Sequence, residues 1–301
     1  MKYWISLVNT VEVDQFVDIA KYAEELGFEG MTVPDHLIMP TNIETKYPYT
    51  QDGKVWWPDN NPWPDPWVAL TAMGVATTNL KMATNIYLAA LRDPFTAARA
   101  VGAAAIFTNN RVACGVSAGW IKEEYDVMGL DFRQRGKRLD AVIEAMHLLH
   151  SGEKVSYASE HFNFDEVIMS PAPTQKVPIW VGGKSKPALR RTAQNDGWLG
   201  VPLTNADIVE TVNSIFEIRK EIGNYDQPFT AVLSPLELID GNVIAQLDPA
   251  GTYHQSTLPW TPSPWGRAMW VEEGEDHTQL DVKKRAMERF KNMMISLGNW
   301  D

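Results

Sequence analysis

LKMATNIYLAALRDPFTAARAVGAAAIFTNNRVACGVSAGW, residues 80–120, is the stretch whose reading decides the fold. Leu80 to Tyr87 is apolar and partly β-branched, which is strand character. LRDP follows, and Pro94 suits the first turn of a helix, where its missing N–H is no loss. Phe95 to Phe107 is packed with Ala and other apolar side chains around Arg99. That composition predicts a helix buried on nearly every side. Thr108-Asn109-Asn110 turns the chain, and Arg111 to Val116 is a second strand that runs out into Ser117-Ala118-Gly119-Trp120. Strand, helix and strand at this spacing form a parallel βαβ unit. Both strands then end on one face, and in barrels and open α/β sheets that face carries the chemistry.

The same alternation extends in both directions. Upstream, Tyr3 to Val8 is a strand, and Val13 to Leu26 is amphipathic, with Phe16, Val17, Ala20, Ala23 and Leu26 at helical spacing before Gly27 stops it. Gly30 to Val33 is a short strand that ends in Pro34-Asp35-His36. Residues 39–66 show no period, and Pro, Asn, Asp, Tyr and Trp dominate them. A loop that long inside a compact domain is usually a lid or a binding loop. Asp65 to Thr77 is a helix. Downstream come a helical turn (Lys122 to Met128), an amphipathic helix (Arg133 to Leu149) and a weak hairpin (154–170). Val177 to Gly183 is a strand leading into a glycine pair. Pro187 to Gln194 (helix), Asp196 to Val201 (strand), Ala206 to Ile222 (helix) and a strand around Phe229 to Ile239 follow. Residues 248–276 are rich in Pro, Trp and Gly and are expected to fold over the mouth. Leu280 to Leu297 is a last amphipathic helix. The pattern predicts an α/β chain forming a single (β/α)8 TIM barrel over 1–301, with insertion loops at about 39–66, 154–170 and 248–276 at its C-terminal mouth.

Composition narrows the function. A net charge of −11 argues against a nucleic-acid partner. No apolar run reaches the roughly 18 residues of a membrane span. MKYWISLVN lacks the long core of a signal peptide and suits a first strand, so a cytoplasmic protein is expected. One cysteine, Cys114, leaves no internal disulfide and no cysteine metal cluster. The histidines at 36, 147, 150, 161, 254 and 277 show no metal spacing, and SLVNT stands where zinc barrels carry His-x-His.

Four pieces carry candidate chemistry. Asp35-His36 follows a strand, which sets an imidazole at the mouth, able to move a proton or hydrogen-bond a ring ligand. A loop histidine bonded to its neighbours is the plainer alternative. Gly182-Gly183-Lys184-Ser185 lies between strand and helix, where backbone N–H groups can approach a phosphate; a tight turn explains the same letters, and the P-loop spacing is missing. Gly115 to Trp120 leaves its strand with small residues, so a flat ring can lie on the backbone, although barrel packing asks for the same glycines. Gly115-x-Ser117-x-Gly119 matches the letters of an esterase elbow, with no evident acid and histidine partners downstream. Glu123 and Glu124 follow on a helical turn and are expected on a solvated face. Trp56, Trp57 and Trp63 form either a substrate wall or the packing of a long loop.

Taken together, PDH at 34–36, TNIYLAALRDP, RVACGVSAGWIKEE with MGLDFRQRGKRLD, and VPIWVGGKSKPALRRTAQNDGW resemble the luciferase-like monooxygenase superfamily of flavin and deazaflavin barrels. The resemblance covers most of residues 1–222 and is nearest to short single-chain members that use coenzyme F420, a deazaflavin; others use FMN. It implies an oxidoreductase with His36 beside the reactive ring carbon and Asp35 with it. Asn85-Ile86 falls where the family often has a non-proline cis peptide behind the ring. The resemblance also implies that Ser117 and Trp120 border the cofactor, and that Gly182, Gly183, Lys184 and Ser185 hold its phosphate, with Lys186 beside them. Trp120 stands where related sugar-phosphate dehydrogenases place a Glu, which argues against a sugar phosphate substrate. A deazaflavin implies hydride transfer to or from a small, apolar organic substrate. Reduced FMN implies oxygenation, and a barrel that binds flavin without turning it over is a third alternative. A homodimer and a separate reductase that supplies reduced cofactor are expected partners.

Overall fold

The structure is a computed structural model and describes residues 1–265 and 270–300. In chain order, β1 (Lys2–Ser6), α1 (Phe16–Leu26), β2 (Gly30–Val33), α2 (Pro66–Val75), β3 (Lys81–Thr84), α3 (Pro94–Phe107) and β4 (Val112–Val116) make the first half. They are followed by α4 (Lys122–Val127), α5 (Arg135–Leu149) and the strands β5 (Val155–Ala158) and β6 (Asn163–Val167). The remainder is β7 (Ile179–Gly182), α6 (Lys186–Gln194), β8 (Gly197–Leu199), α7 (Asn205–Glu221), β9 (Thr230–Leu233), α8 (Gly241–Ala245), β10 (Thr252–Thr257) and α9 (Leu280–Ser296). Eight strands close a parallel barrel in the order β1-β10-β9-β8-β7-β4-β3-β2. This is the expected (β/α)8 architecture.

Local chemistry explains the helix starts. Asp65 caps α2 by accepting from the backbone N–H of Trp67 and Val68, and Asp93 caps α3 through Thr96. Both helices carry a proline in the first turn, where no donor is lost. Inside the barrel Trp4, Ala83, Ala113, Trp180, Leu199 and Val232 form one cluster. Trp4 and Trp180 meet edge to face with centroids 5.4 Å apart, a favoured geometry for aromatic pairs.

Four details differ from the sequence reading. First, β3 stops at Thr84 rather than Tyr87, and the Asn85-Ile86 peptide that follows is cis, as the resemblance implies. Tyr87 then rejoins the sheet through its N–H to Gly115 O at 2.7 Å. Second, residues 248–276 are not all an insertion: β10 lies within them and closes the barrel between β9 and β1. Its HQST sequence at 254–257 is buried, so a central strand is hidden by polar composition. Residues 266–269 of that segment lie outside the described residues. Third, β5 and β6 pair as the expected hairpin, but on the outer wall: Tyr157 donates to Glu144 of α5, and Phe164 packs on Phe95 of α3. Fourth, α3 buries only one face. Phe107 is 67% exposed, as are Val68 (70%) and Val75 (61%) of α2.

Candidate active site

At the C-terminal ends of the strands opens a cavity of about 590 Å³. Asp35, His36, Trp56, Trp57, Trp63, Asn85, Ile86, Ser117, Trp120, Gly182, Gly183, Lys184 and Ser185 line it, whereas Lys186 does not. β2, β3, β4 and β7 are neighbours in the barrel, so their ends converge although their residues are far apart in sequence.

His36 stands three residues beyond β2. Its Nδ1 lies 3.1 Å from Oε2 of Glu124. The other carboxylate oxygen of Glu124 accepts from the Leu37 N–H at 2.8 Å and the Ile38 N–H at 3.4 Å. Glu124 is 1% exposed, which overturns the expectation of a solvated face. The helical spacing carries the missed signal: Ile121 just before α4 and Glu124 and Tyr125 within it fall on one side, and all three are buried. Glu123 is half-buried and accepts from the Glu44 and Thr45 N–H groups at 3.0 Å each. Adjacent carboxylates thus tie the start of the long loop to α4.

Asp35 is buried beside Arg92, and it also accepts from the Leu88 N–H at 2.9 Å. Burial pushes its carboxyl up and the Arg92 guanidinium works against that rise. The pair pins the end of β2 to the segment after β3.

The long loop brings an aromatic wall over His36. The Trp63 ring meets the imidazole edge on at 4.6 Å, with Trp57 at 6.0 Å and Trp120 at 6.5 Å. Tyr47 packs on Trp57 and Trp120. Trp56 packs on Trp265, whose indole N–H donates to Tyr49 O at 2.8 Å. Trp265, within the 248–276 segment, thus lines the cavity. Burial raises the Tyr47 and Tyr49 phenols above their ordinary value, so both stay neutral.

The opposite end differs. A Cβ on Gly182 would lie 2.1 Å from Cδ1 of Ile86, and Gly183 has φ +102°, so both positions require glycine. Ser185 caps α6 by accepting from the Ala188 N–H. Arg133, Arg135 and Arg191 line the same end. Arg191 is paired with Asp140. Among the described residues, the Arg133 and Arg135 guanidinium groups and the Lys184 ammonium contact no carboxylate. Spacing along the chain pointed only to Lys184 and Lys186; Arg133 and Arg135 arrive from the turn before α5 and its first residue. A long ligand with a flat apolar end and an anionic end fits this cavity.

The match with known proteins agrees. The family model for luciferase-like monooxygenases covers residues 3–240. An uncharacterized protein of Mycobacterium tuberculosis is 31% identical over 284 residues, 93% of this chain and 94% of that one. The F420-dependent hydroxymycolic acid dehydrogenase of the same organism is 27% identical over 198 residues, 62% of this chain and 48% of its own length. The crystal structure of monooxygenase RslO1 from Streptomyces bottropensis superposes with a TM-score of 0.69 over 98% of this chain and 99% of that one, at 15% identity. Relatives use F420 or FMN. On this evidence the chain belongs to the luciferase-like monooxygenase family and is an oxidoreductase.

Proposed function

We propose that this chain is an F420-dependent oxidoreductase that moves a hydride between the deazaflavin and a small, apolar organic molecule. The carrying observation is the uneven cavity. Its His36 end is walled by aromatic rings, and the Arg92 guanidinium behind it is taken up by Asp35. Its other end holds Arg133, Arg135 and Lys184, which have no acid partner among the described residues. A single phosphate is served by the Gly183 turn and the N-terminus of α6. The further cations suit the longer polyanionic tail of a deazaflavin.

In this reading Gly182, Gly183, Lys184 and Ser185 hold the phosphate. Asn85, Ile86, Ser117 and Trp120 border the ring, and Trp56, Trp57 and Trp63 face the substrate. His36 moves a proton, and Asp35 positions it rather than reacting, since both its oxygens are engaged. When bound, the deazaflavin supplies the hydride carrier, and a separate reductase or dehydrogenase returns it to the needed redox state. The exposed apolar faces of α2 and α3 pair two copies.

Titrating the protein with F420 and with FMN, followed by ring fluorescence at low and high salt, tests this. The expected result is micromolar F420 binding that weakens with salt, as contacts to a polyanion do, and weaker FMN binding. Tighter FMN binding with oxygen consumption would favour the flavin monooxygenase. Failure of both to bind would remove the cofactor assignment.

A further inference from the structure

Glu124 matches none of the roles given above to the cofactor or substrate, yet it is the most enclosed carboxylate at the mouth. A carboxylate removed from water must be hydrogen-bonded or its burial is costly. Oε1 meets this need through the Leu37 and Ile38 N–H groups, and Oε2 meets it through His36 Nδ1. An ionised carboxylate only accepts, so the Nδ1 that faces it must carry the proton. Which ring nitrogen is protonated is set by the bond that the other one makes. Among the described residues His36 Nε2 has no partner, and it is not enclosed; the residue lines the cavity.

We propose that Glu124 is a positioning residue: it holds His36 as the Nδ1–H tautomer, so that Nε2 meets the substrate as a proton acceptor, and it latches the backbone just beyond His36. As the substrate carbon gives up its hydride to the carrier of the proposed function and the C–O bond becomes a carbonyl, the O–H proton would pass to Nε2, and the resulting imidazolium would keep its Nδ1–H on Glu124 as a charge-assisted bond. In the reverse direction the same proton returns from Nε2 to a carbonyl oxygen. The consequence for turnover rests on the proposed oxidoreductase reading; the tautomer does not.

Glu124→Gln is the discriminating variant. The Leu37 N–H must face the new amide oxygen, which leaves the amide NH₂ toward His36. An NH₂ only donates, so Nδ1 loses its proton and Nε2 becomes the N–H. The latch is retained and the tautomer inverted. Nitrogen-15 correlation spectra of the histidine rings, assigned with His36→Ala, read the tautomer without cofactor or substrate. Protonated Nδ1 is expected in the native protein and protonated Nε2 in Glu124→Gln. Turnover should fall by about 10²-fold or more with cofactor affinity unchanged, and Glu124→Asp should keep the native tautomer and recover part of the rate. A native His36 protonated at Nε2 overturns the proposal, even if Glu124→Gln fails to fold. So does an unchanged tautomer or an unchanged rate in a folded Glu124→Gln protein. Loss of cofactor binding with the expected tautomers would instead count against the deazaflavin reading.

Discussion

Asp35 and Arg92 form a buried two-armed pair at the mouth, with Oδ2 2.7 Å from Nη1 and Oδ1 2.9 Å from Nη2. Together with the Leu88 N–H from which Asp35 also accepts, the pair joins the loop after β2 to the segment after β3. Arg92 also lies over the Tyr87 ring at 4.3 Å. Arg92→Ala should cost about 3–5 kcal/mol, because it leaves a buried carboxylate unpaired. Arg92→Lys should recover little, since one ammonium cannot make both bonds. Urea titrations measure this. A loss below about 1 kcal/mol, the scale of an exposed pair, would mean that the pair is not structural.

His36→Ala should leave cofactor binding largely intact and lower turnover by about 10²-fold or more, the usual scale of a positioned acid–base group. Cofactor fluorescence and single-turnover rates on the same protein separate the two effects. Weakened binding with unchanged turnover would make His36 a cofactor-positioning residue instead.

Gly182→Ala should cost about 1–3 kcal/mol, the range for overpacking, and weaken the cofactor, because the new methyl group strikes Cδ1 of Ile86. Ile86→Val deletes that atom. The double variant should therefore be more stable than Gly182→Ala alone, and thermal melts of the four proteins make the comparison. Additive losses would show that Ile86 is not the obstacle.

Light scattering should find a dimer. The faces of α2 and α3 leave Val68, Val75 and Phe107 largely exposed, and apolar patches of this kind mark contact surfaces. Val75→Asp with Phe107→Asp should give monomers. A native protein that is monomeric at every concentration would sink the assignment.

His254, inside the barrel beside Trp4, is held down to about 4 from its ordinary 6.5, chiefly by burial. The unfolded chain therefore binds this proton more readily than the folded one. Its contribution is complete above about pH 6.5 and is lost as the pH falls toward 4, by about 3 kcal/mol in all. Burial lowers His147 and His150 as well, so they act in the same direction. Stability against pH should fall across this window, and His254→Leu should flatten part of the fall. An unchanged profile would show that His254 does not couple folding to protons.

The periodicity of 80–120 determined the barrel, because strand and helix repeats are local properties of the chain. The motif ends at Asp35-His36, Asn85-Ile86, Ser117 to Trp120 and Gly182 to Ser185 determined the mouth for the same reason: each is a few residues of unusual chemistry at the end of a strand. The barrel strand 252–257 escaped, since its buried face is polar and has no hydrophobic signature. Glu124, Arg133 and Arg135 also escaped. A carboxylate and two guanidinium groups in an acidic, ordinary stretch look like solvated surface until closure of the barrel brings them within reach of His36 and the glycine turn. The sequence determined which groups are present at the mouth. Only the tertiary structure decided that Oε2 of Glu124 faces Nδ1 of His36 and leaves Nε2 to the cavity, because a proton's place on a ring is set by a contact across 88 residues of chain.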